Sequence, residues 1–205
     1  SYDLDKMLYV IPADSHEPEK VREILRQHPE IKFVSLMGID IGGHDTDEKI
    51  PVEEFIDDME KFLENGVQTD GSSVVLPNIA KLNNAKVDII PDSTVNWFVD
   101  HNFNYPDHET GLPVGTLRIP SSLVHNDSYR VGSRVILRDA IHNFNEDLME
   151  LLRKNPYVFQ YLDLDSVDEI EGIEVTAATE LEFWVKTPDD DADREQLSTA
   201  QMLKE

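Results

Sequence analysis

The chain has 205 residues, 40% of them hydrophobic and 29% charged, with 18 Lys and Arg against 42 Asp and Glu and a formal net charge of −24. A surface this acidic argues against a nucleic-acid binder, whose phosphate contacts need Lys and Arg, and against docking on an anionic membrane; it suits a protein that meets cations, or substrates that arrive with them. No apolar run of 18 residues and no signal peptide is present, and the absence of cysteine removes disulfides, thiol nucleophiles and Cys-held zinc, so the cytoplasm is the expected compartment.

Residues 1–14 read as irregular. Pro18 opens a short helix with apolar positions at Val21, Ile24 and Leu25, and Pro29 ends it. Ile31–Asp40 reads as a buried strand, apolar on both parities, and Gly42-Gly43 turns the chain. Pro51 then opens a second helix, with Phe55, Ile56, Met59, Phe62 and Leu63 on one face, and Asn65-Gly66 closes it with a left-handed glycine cap. Short strands are expected at Val87–Ile90, Thr94–Val99 and Val114–Ile119, with a loop over His101–Pro113. A third helix runs from about Arg134 to Lys154 on the stripe Leu137, Ile141, Phe144, Leu148, Leu151 and Leu152, and Asn155-Pro156 stops it. Tyr157–Leu162 and Ile173–Val185 read as strands, the second alternating cleanly between an apolar and a polar face. Helices mixed with short, partly antiparallel strands predict an α+β fold, with a domain boundary at the composition break near 120–130.

Charge is unevenly spread. Residues 163–205 hold 14 acidic and 3 basic side chains, whereas Arg118, Arg130, Arg134 and Arg138 cluster within a short stretch that has one acid, Asp127. The arginines are expected to meet negative charge, on the acidic tail or on another subunit.

Two constellations could carry chemistry. Asp70-Gly71-Ser72-Ser73 follows a helix and precedes Val74-Val75-Leu76. Asp-Gly by itself is a turn signal; as an exposed loop it also offers a carboxylate that could bind a small cation or take a proton from a bound nucleophile. Glu180-Leu181-Glu182 lies on an expected strand, where residues i and i+2 share a face about 7 Å apart. Paired carboxylates repel unless a cation lies between them, and hard divalent ions prefer oxygen ligands; a solvated strand edge is the plainer alternative. Asp163-x-Asp165…Asp168-Glu169…Glu174 fails as a calcium loop, because Asp168 stands where the turn glycine is required and Val167 at a ligand position. The seven histidines form no HExxH pair, and no glycine-rich phosphate loop is present, so a nucleotide would have to be held through metal ions.

In order, three segments resemble the glutamine synthetase family over about residues 31–185: Asp70-Gly71-Ser72-Ser73 after a helix ending in Gly66, Asp88…Pro91-Asp92-Ser93-Thr94, and Glu180-Leu181-Glu182-Phe183. The resemblance implies a β-grasp-like N-terminal domain over 1–125, followed over 126–205 by the first helix and strands of a truncated catalytic domain. It implies that Asp70 binds ammonium and removes its proton in the active site of a neighbouring subunit, with Ser73 beside that site. It assigns Glu182 to a divalent ion near glutamate and Glu180 to the ion that accompanies the nucleotide. The reaction implied is ATP-dependent joining of glutamate and ammonia through γ-glutamyl phosphate, with Mg or Mn, in a homo-oligomer. It also implies that the remaining ligands lie beyond Glu205 and that residues 1–205 alone do not catalyse. Thr69, where the family has an aromatic residue, leaves open a related γ-glutamyl-amine ligase; a non-catalytic acidic binding or regulatory module is a further alternative.

Overall fold

A twelve-residue strand, the last of the described strands, organises the sheet. The computed structural model describes residues 2–71, 74 and 85–183. Its strands are β1 (Val10–Ile11), β2 (Ile31–Ile39), β3 (Asp45–Pro51), β4 (Val67–Asp70), β5 (Lys86–Pro91), β6 (Trp97–Pro106) and β7 (Pro113–Val124). Its α-helices are α1 (Pro18–Gln27), α2 (Val52–Asp57), α3 (Met59–Asn65) and α4 (Ser133–Lys154). The result is a mixed arrangement of helices around a mainly antiparallel sheet. The chain forms two units, Ser1–Ile170 and Glu171–Glu205, and all of these elements lie in the first.

β7 pairs parallel with β2, from Ile31 opposite Gly115 to Met37 opposite Pro120. Its other edge is covered by two antiparallel strands in succession: Asp88–Pro91 of β5 opposite Ser121–Val124, then Phe98–Asn102 of β6 opposite Val114–Arg118. β5 and β6 therefore run as one broken strand along β7, interrupted at Asp92–Asn96. β3 extends the sheet beyond β2, β1 beyond β6, and β4 beyond β5.

Alternation along β7 decides its packing. Gly115, Leu117, Ile119 and Ser121 are buried, while Thr116, Arg118 and Pro120 between them are half-buried. Leu117 and Ile119 join Val21 and Leu25 of α1, Val34 and Leu36 of β2, Phe55 of α2 and Met59 of α3 in one core. At about 25 cal/mol per Å² of apolar surface removed from water, burying each such side chain stabilises by roughly 1.5–3 kcal/mol.

The expected elements at 18–27, 31–39, 86–91, 113–124 and 133–154 are present. Several others differ. β3 was not expected, because Asp45, Asp47 and Lys49 hide its pattern; they are exposed charges on an edge strand, where such residues discourage further pairing. The helix after Pro51 is broken at Asp58 (φ −111°, ψ 27°). Like charges four apart, Glu53 with Asp57 and Glu54 with Asp58, weaken it locally. The Ile56 carbonyl, which a continuous helix would offer to the Glu60 amide, instead accepts from Arg22 Nε at 3.0 Å. The loop expected over 101–113 is shortened, because β6 continues to Pro106 through an irregularity after Asn102.

Two expected strands do not form among the described residues; the end of the second, residues 184–185, lies outside them. Pro156–Tyr161 is a 3-10 helix that buries Phe159 alone, so the strand expected over 157–162 does not form. Residues 171–183 form no strand, and Val175, Leu181 and Phe183 are exposed. Alternation qualifies a segment for a sheet, but a strand also needs a neighbour to satisfy its backbone, and none of the described strands pairs with this one.

Two of the four clustered arginines meet acids of the sheet and its connections. Arg118 bridges Asp47 of β3 at 3.4 Å and Asp100 of β6 at 3.0 Å, and Arg134 pairs with Asp92.

Candidate functional site

Asp70 is held by a turn that only glycine can make. α3 ends at Asn65, and the Gly66 amide donates to the Phe62 carbonyl at 2.9 Å. Gly66 has φ +64°, as its place at a helix end predicts, but ψ −152° puts it in the extended mirror region rather than the left-handed helical one. A Cβ there would stand 2.0 Å from the Ile89 carbonyl oxygen. That close approach lets β4 start immediately and pair with β5: Val67 opposite Ile89, Gln68 opposite Asp88, Thr69 opposite Val87 and Asp70 opposite Lys86.

Asp70 is thus the last residue of a strand, where a loop position was expected. It is exposed, on the same outward face as Gln68. The Gly71 amide donates to the Ala85 carbonyl at 2.8 Å, and the Val74 amide to the Gly71 carbonyl at 3.1 Å, which turns the chain after Asp70. Ser73 lies outside the described residues.

The Pro91-Asp92-Ser93-Thr94 segment fills the interruption between β5 and β6. Asp92 Oδ1 accepts from the Thr94 amide at 2.8 Å and from the Thr94 hydroxyl at 2.6 Å, and Oδ2 accepts from Arg134 of α4. Partial burial works against the charge on Asp92, but the Thr94 donors and the Arg134 guanidinium together outweigh it and hold its carboxyl below the usual range. Its backbone carbonyl accepts from Trp97 Nε1 at 3.0 Å. On the opposite side, the His16 ring stacks on Trp97 at 3.6 Å between centroids, and Nδ1 and Nε2 lie 3.0 and 3.1 Å from the Ser93 and Ile11 carbonyls. This segment ties the N-terminal stretch, the sheet and α4 together, and its acid is fully engaged in doing so.

Glu180 and Glu182 belong to the second unit, and both are exposed. Without a strand, nothing imposes the shared face that alternation predicts for them. No group of three His, Asp or Glu side chains able to hold a metal ion occurs among the described residues. Two exposed carboxylates fall short of the six or more oxygens that divalent ions take, so this pair is not by itself a metal centre. Glu169, in the segment with a partial likeness to a calcium loop, accepts from the Asp165 and Ser166 amides at 2.7 and 2.9 Å as part of a capping box.

Two features went unforeseen. Asp107 is buried at the turn between β6 and β7. Lys32 Nζ lies 2.7 Å from its Oδ2, while the Thr110 amide and hydroxyl and the Glu109 amide donate to Oδ1. The lysine, then the Thr110 amide, hold its carboxyl well below the usual range despite burial. The signal was present as Asp-x-x-Thr before a glycine, a pattern in which Asp caps its own turn. The second feature is an open cleft of about 420 Å³ lined by Leu25, Arg26, Ile31, Lys32, Ile56 and Asp57, which includes none of the expected site residues.

No protein-family model matches the chain, and no characterised protein matches it by sequence. Among solved structures, it is similar to a cryo-EM structure of Plasmodium falciparum glutamine synthetase, with 15% identity and a TM-score of 0.44 over 67% of this chain and 23% of that one. It is also similar to GmaS in complex with ADP, with 13% identity and a TM-score of 0.31 over 52% of this chain and 20% of that one. The chain therefore spans less than a quarter of the length of either structure.

Proposed function

We propose that this chain is part of a glutamine synthetase-like ligase that uses ATP to join glutamate and ammonia. The observation that carries the reading is the order of three motifs along the chain: Asp70-Gly71-Ser72-Ser73, Pro91-Asp92-Ser93-Thr94 and Glu180-Leu181-Glu182-Phe183. Asp70 serves ammonium binding and deprotonation, with Ser73 beside it; its exposure at the end of β4 supports access by a small cation. Glu180 and Glu182 contribute carboxylates to Mg or Mn sites that need further oxygen ligands. The hairpin of β2 and β3, the crossover through α2 and α3, and the central parallel pair of β2 and β7 support a β-grasp-like N-terminal domain, placed at 1–125, ahead of the start of a catalytic domain at 126–205. The working protein is a cytoplasmic homo-oligomer with active sites at subunit interfaces.

The test is phosphate release by the whole protein with ATP, Mg or Mn, glutamate and a panel of amines. Ammonia-dependent turnover is expected. Asp70→Ala should lower it at least about tenfold while leaving nucleotide binding nearly unchanged. Glu182→Gln should raise the metal concentration needed for activity, because it removes one charge from a divalent site. No turnover with any amine, or an Asp70 variant as active with ammonia as the parent, would overturn the reading.

A further inference from the structure

The surroundings of His16 suit one protonation state of its ring. The residue is 8% exposed. Nδ1 lies 3.0 Å from the Ser93 carbonyl oxygen and Nε2 lies 3.1 Å from that of Ile11. Carbonyl oxygens only accept, and a neutral imidazole carries a single N–H. A neutral ring therefore turns one nitrogen lone pair toward a carbonyl oxygen inside the fold and loses a hydrogen bond. The imidazolium donates at both ends, and its charge meets the face of Trp97, stacked at 3.6 Å between centroids with 17° between the planes. Two other histidines show the contrast. His125 sets Nδ1 2.9 Å from the Lys86 carbonyl and Nε2 3.1 Å from the side-chain amide nitrogen of Asn126, so a neutral ring satisfies both. His101 sets Nε2 2.9 Å from the Leu8 carbonyl, but its Nδ1 stands 3.5 Å from the Pro113 carbonyl, too far for a good bond.

The charged groups of the surrounding elements favour a cation at His16. Asp14 and Glu17 flank it in the chain, and Asp92 precedes Ser93. Arg134 of α4 brings a positive charge to this side, but it is paired with Asp92. The ring joins the N-terminal stretch to the sheet. In that stretch Ile11 is fully buried and lies opposite Trp97 of β6. The Val99 amide donates to the Tyr9 carbonyl at 2.9 Å, and the Ala13 amide to Asn96 Oδ1 at 3.0 Å.

We propose that the N-terminal stretch is a pH-dependent strap, held against β6 by His16 as a doubly protonated ring and opening more often once the second proton leaves. Imidazole changes charge between about pH 5 and 8. The strap is held tightest at the acid end of that range, where both bonds form, and loosens as pH rises and one of them is lost. The proposal goes beyond the ligase reading and uses no residue given a chemical role there.

Amide hydrogen exchange of the 205-residue chain tests it, read as protection factors so that the intrinsic pH dependence drops out. Val99, whose amide is bonded to the strap, should be at least about fivefold less protected at about pH 8 than at about pH 5.5, measured against Leu117 of β7. His16→Gln cannot titrate and should abolish the difference; His101→Gln should keep it. Nitrogen NMR of the rings in the parent decides the matter if His16→Gln misfolds. Both His16 nitrogens should carry a proton at about pH 5.5, and loss of one should track the loss of Val99 protection. A ring with a single proton at about pH 5.5 would overturn the proposal. So would Val99 protection that does not fall relative to Leu117, an equal fall in His16→Gln, or a fall abolished by His101→Gln.

Discussion

Gly66 is the residue on which the path from α3 into β4 depends. Its backbone combines positive φ with an extended ψ, and the Ile89 carbonyl occupies the space a side chain would need. Gly66→Ala should destabilise the fold by about 3 kcal/mol, from backbone strain and a clash with backbone that cannot move aside. Chemical denaturation measures this, and a variant within about 0.5 kcal/mol of the parent would contradict the geometry. Asp107 gives a pH-dependent counterpart. Its folded carboxyl is shifted down, so its contribution is complete above the unfolded value of about 4 and is lost as pH falls below that, toward the folded value. Asp107→Asn should lower stability at neutral pH by about 2 kcal/mol. It should also flatten the loss between about pH 4 and pH 2, seen as converging thermal midpoints for parent and variant. Curves that stay parallel down to pH 2 would mean that Asp107 does not carry this charge dependence.

At the scale of elements, a segment is a strand only when another segment completes it. β7 pairs with β2 over Gly115–Pro120 on one edge and with β6 and β5 in succession on the other, and Leu117 and Ile119 are fully buried. Residues 173–183 alternate as well, yet they form no strand and leave Leu181 and Phe183 exposed. Amide hydrogen exchange should separate the two. The amides of Leu117 and Ile119 should exchange only through global unfolding, and those of 173–183 at nearly the rate of an unstructured peptide. Protection of 173–183 comparable to β7 would mean that the segment is paired in solution.

On the scale of the molecule, the core cluster among the described residues lies in one stretch of chain. Its buried residues run from Ile11 to Val131, and the first unit closes at Ile170. Residues 1–170 should therefore fold cooperatively on their own, with a thermal midpoint within about 3 °C of the 205-residue chain. A non-cooperative melt of 1–170 would show that residues 171–205 contribute to the core.

What the sequence determined by itself was local. Pro18 and Pro29 bound α1, the doubly apolar run at 31–39 gave the central β2, and the periodic stripe at 137–152 gave α4, because proline geometry and hydrophobic period act within a few residues. The Asp-Gly after a glycine-ended helix marked Asp70, and the structure puts it at an exposed strand end. Tertiary structure alone decided the rest. β3 carries too much charge to read as a strand and exists because β2 offers it an edge, and at the break at Asp58 it is Arg22, distant in sequence, that takes the Ile56 carbonyl. Pro91-Asp92-Ser93-Thr94 reads in the sequence only as a motif, and the structure shows its acid taken by Arg134 and Thr94. Hydrogen-bond partners supplied from far along the chain leave no periodic trace in the sequence, and so these features emerge only once the sheet has brought their partners within reach.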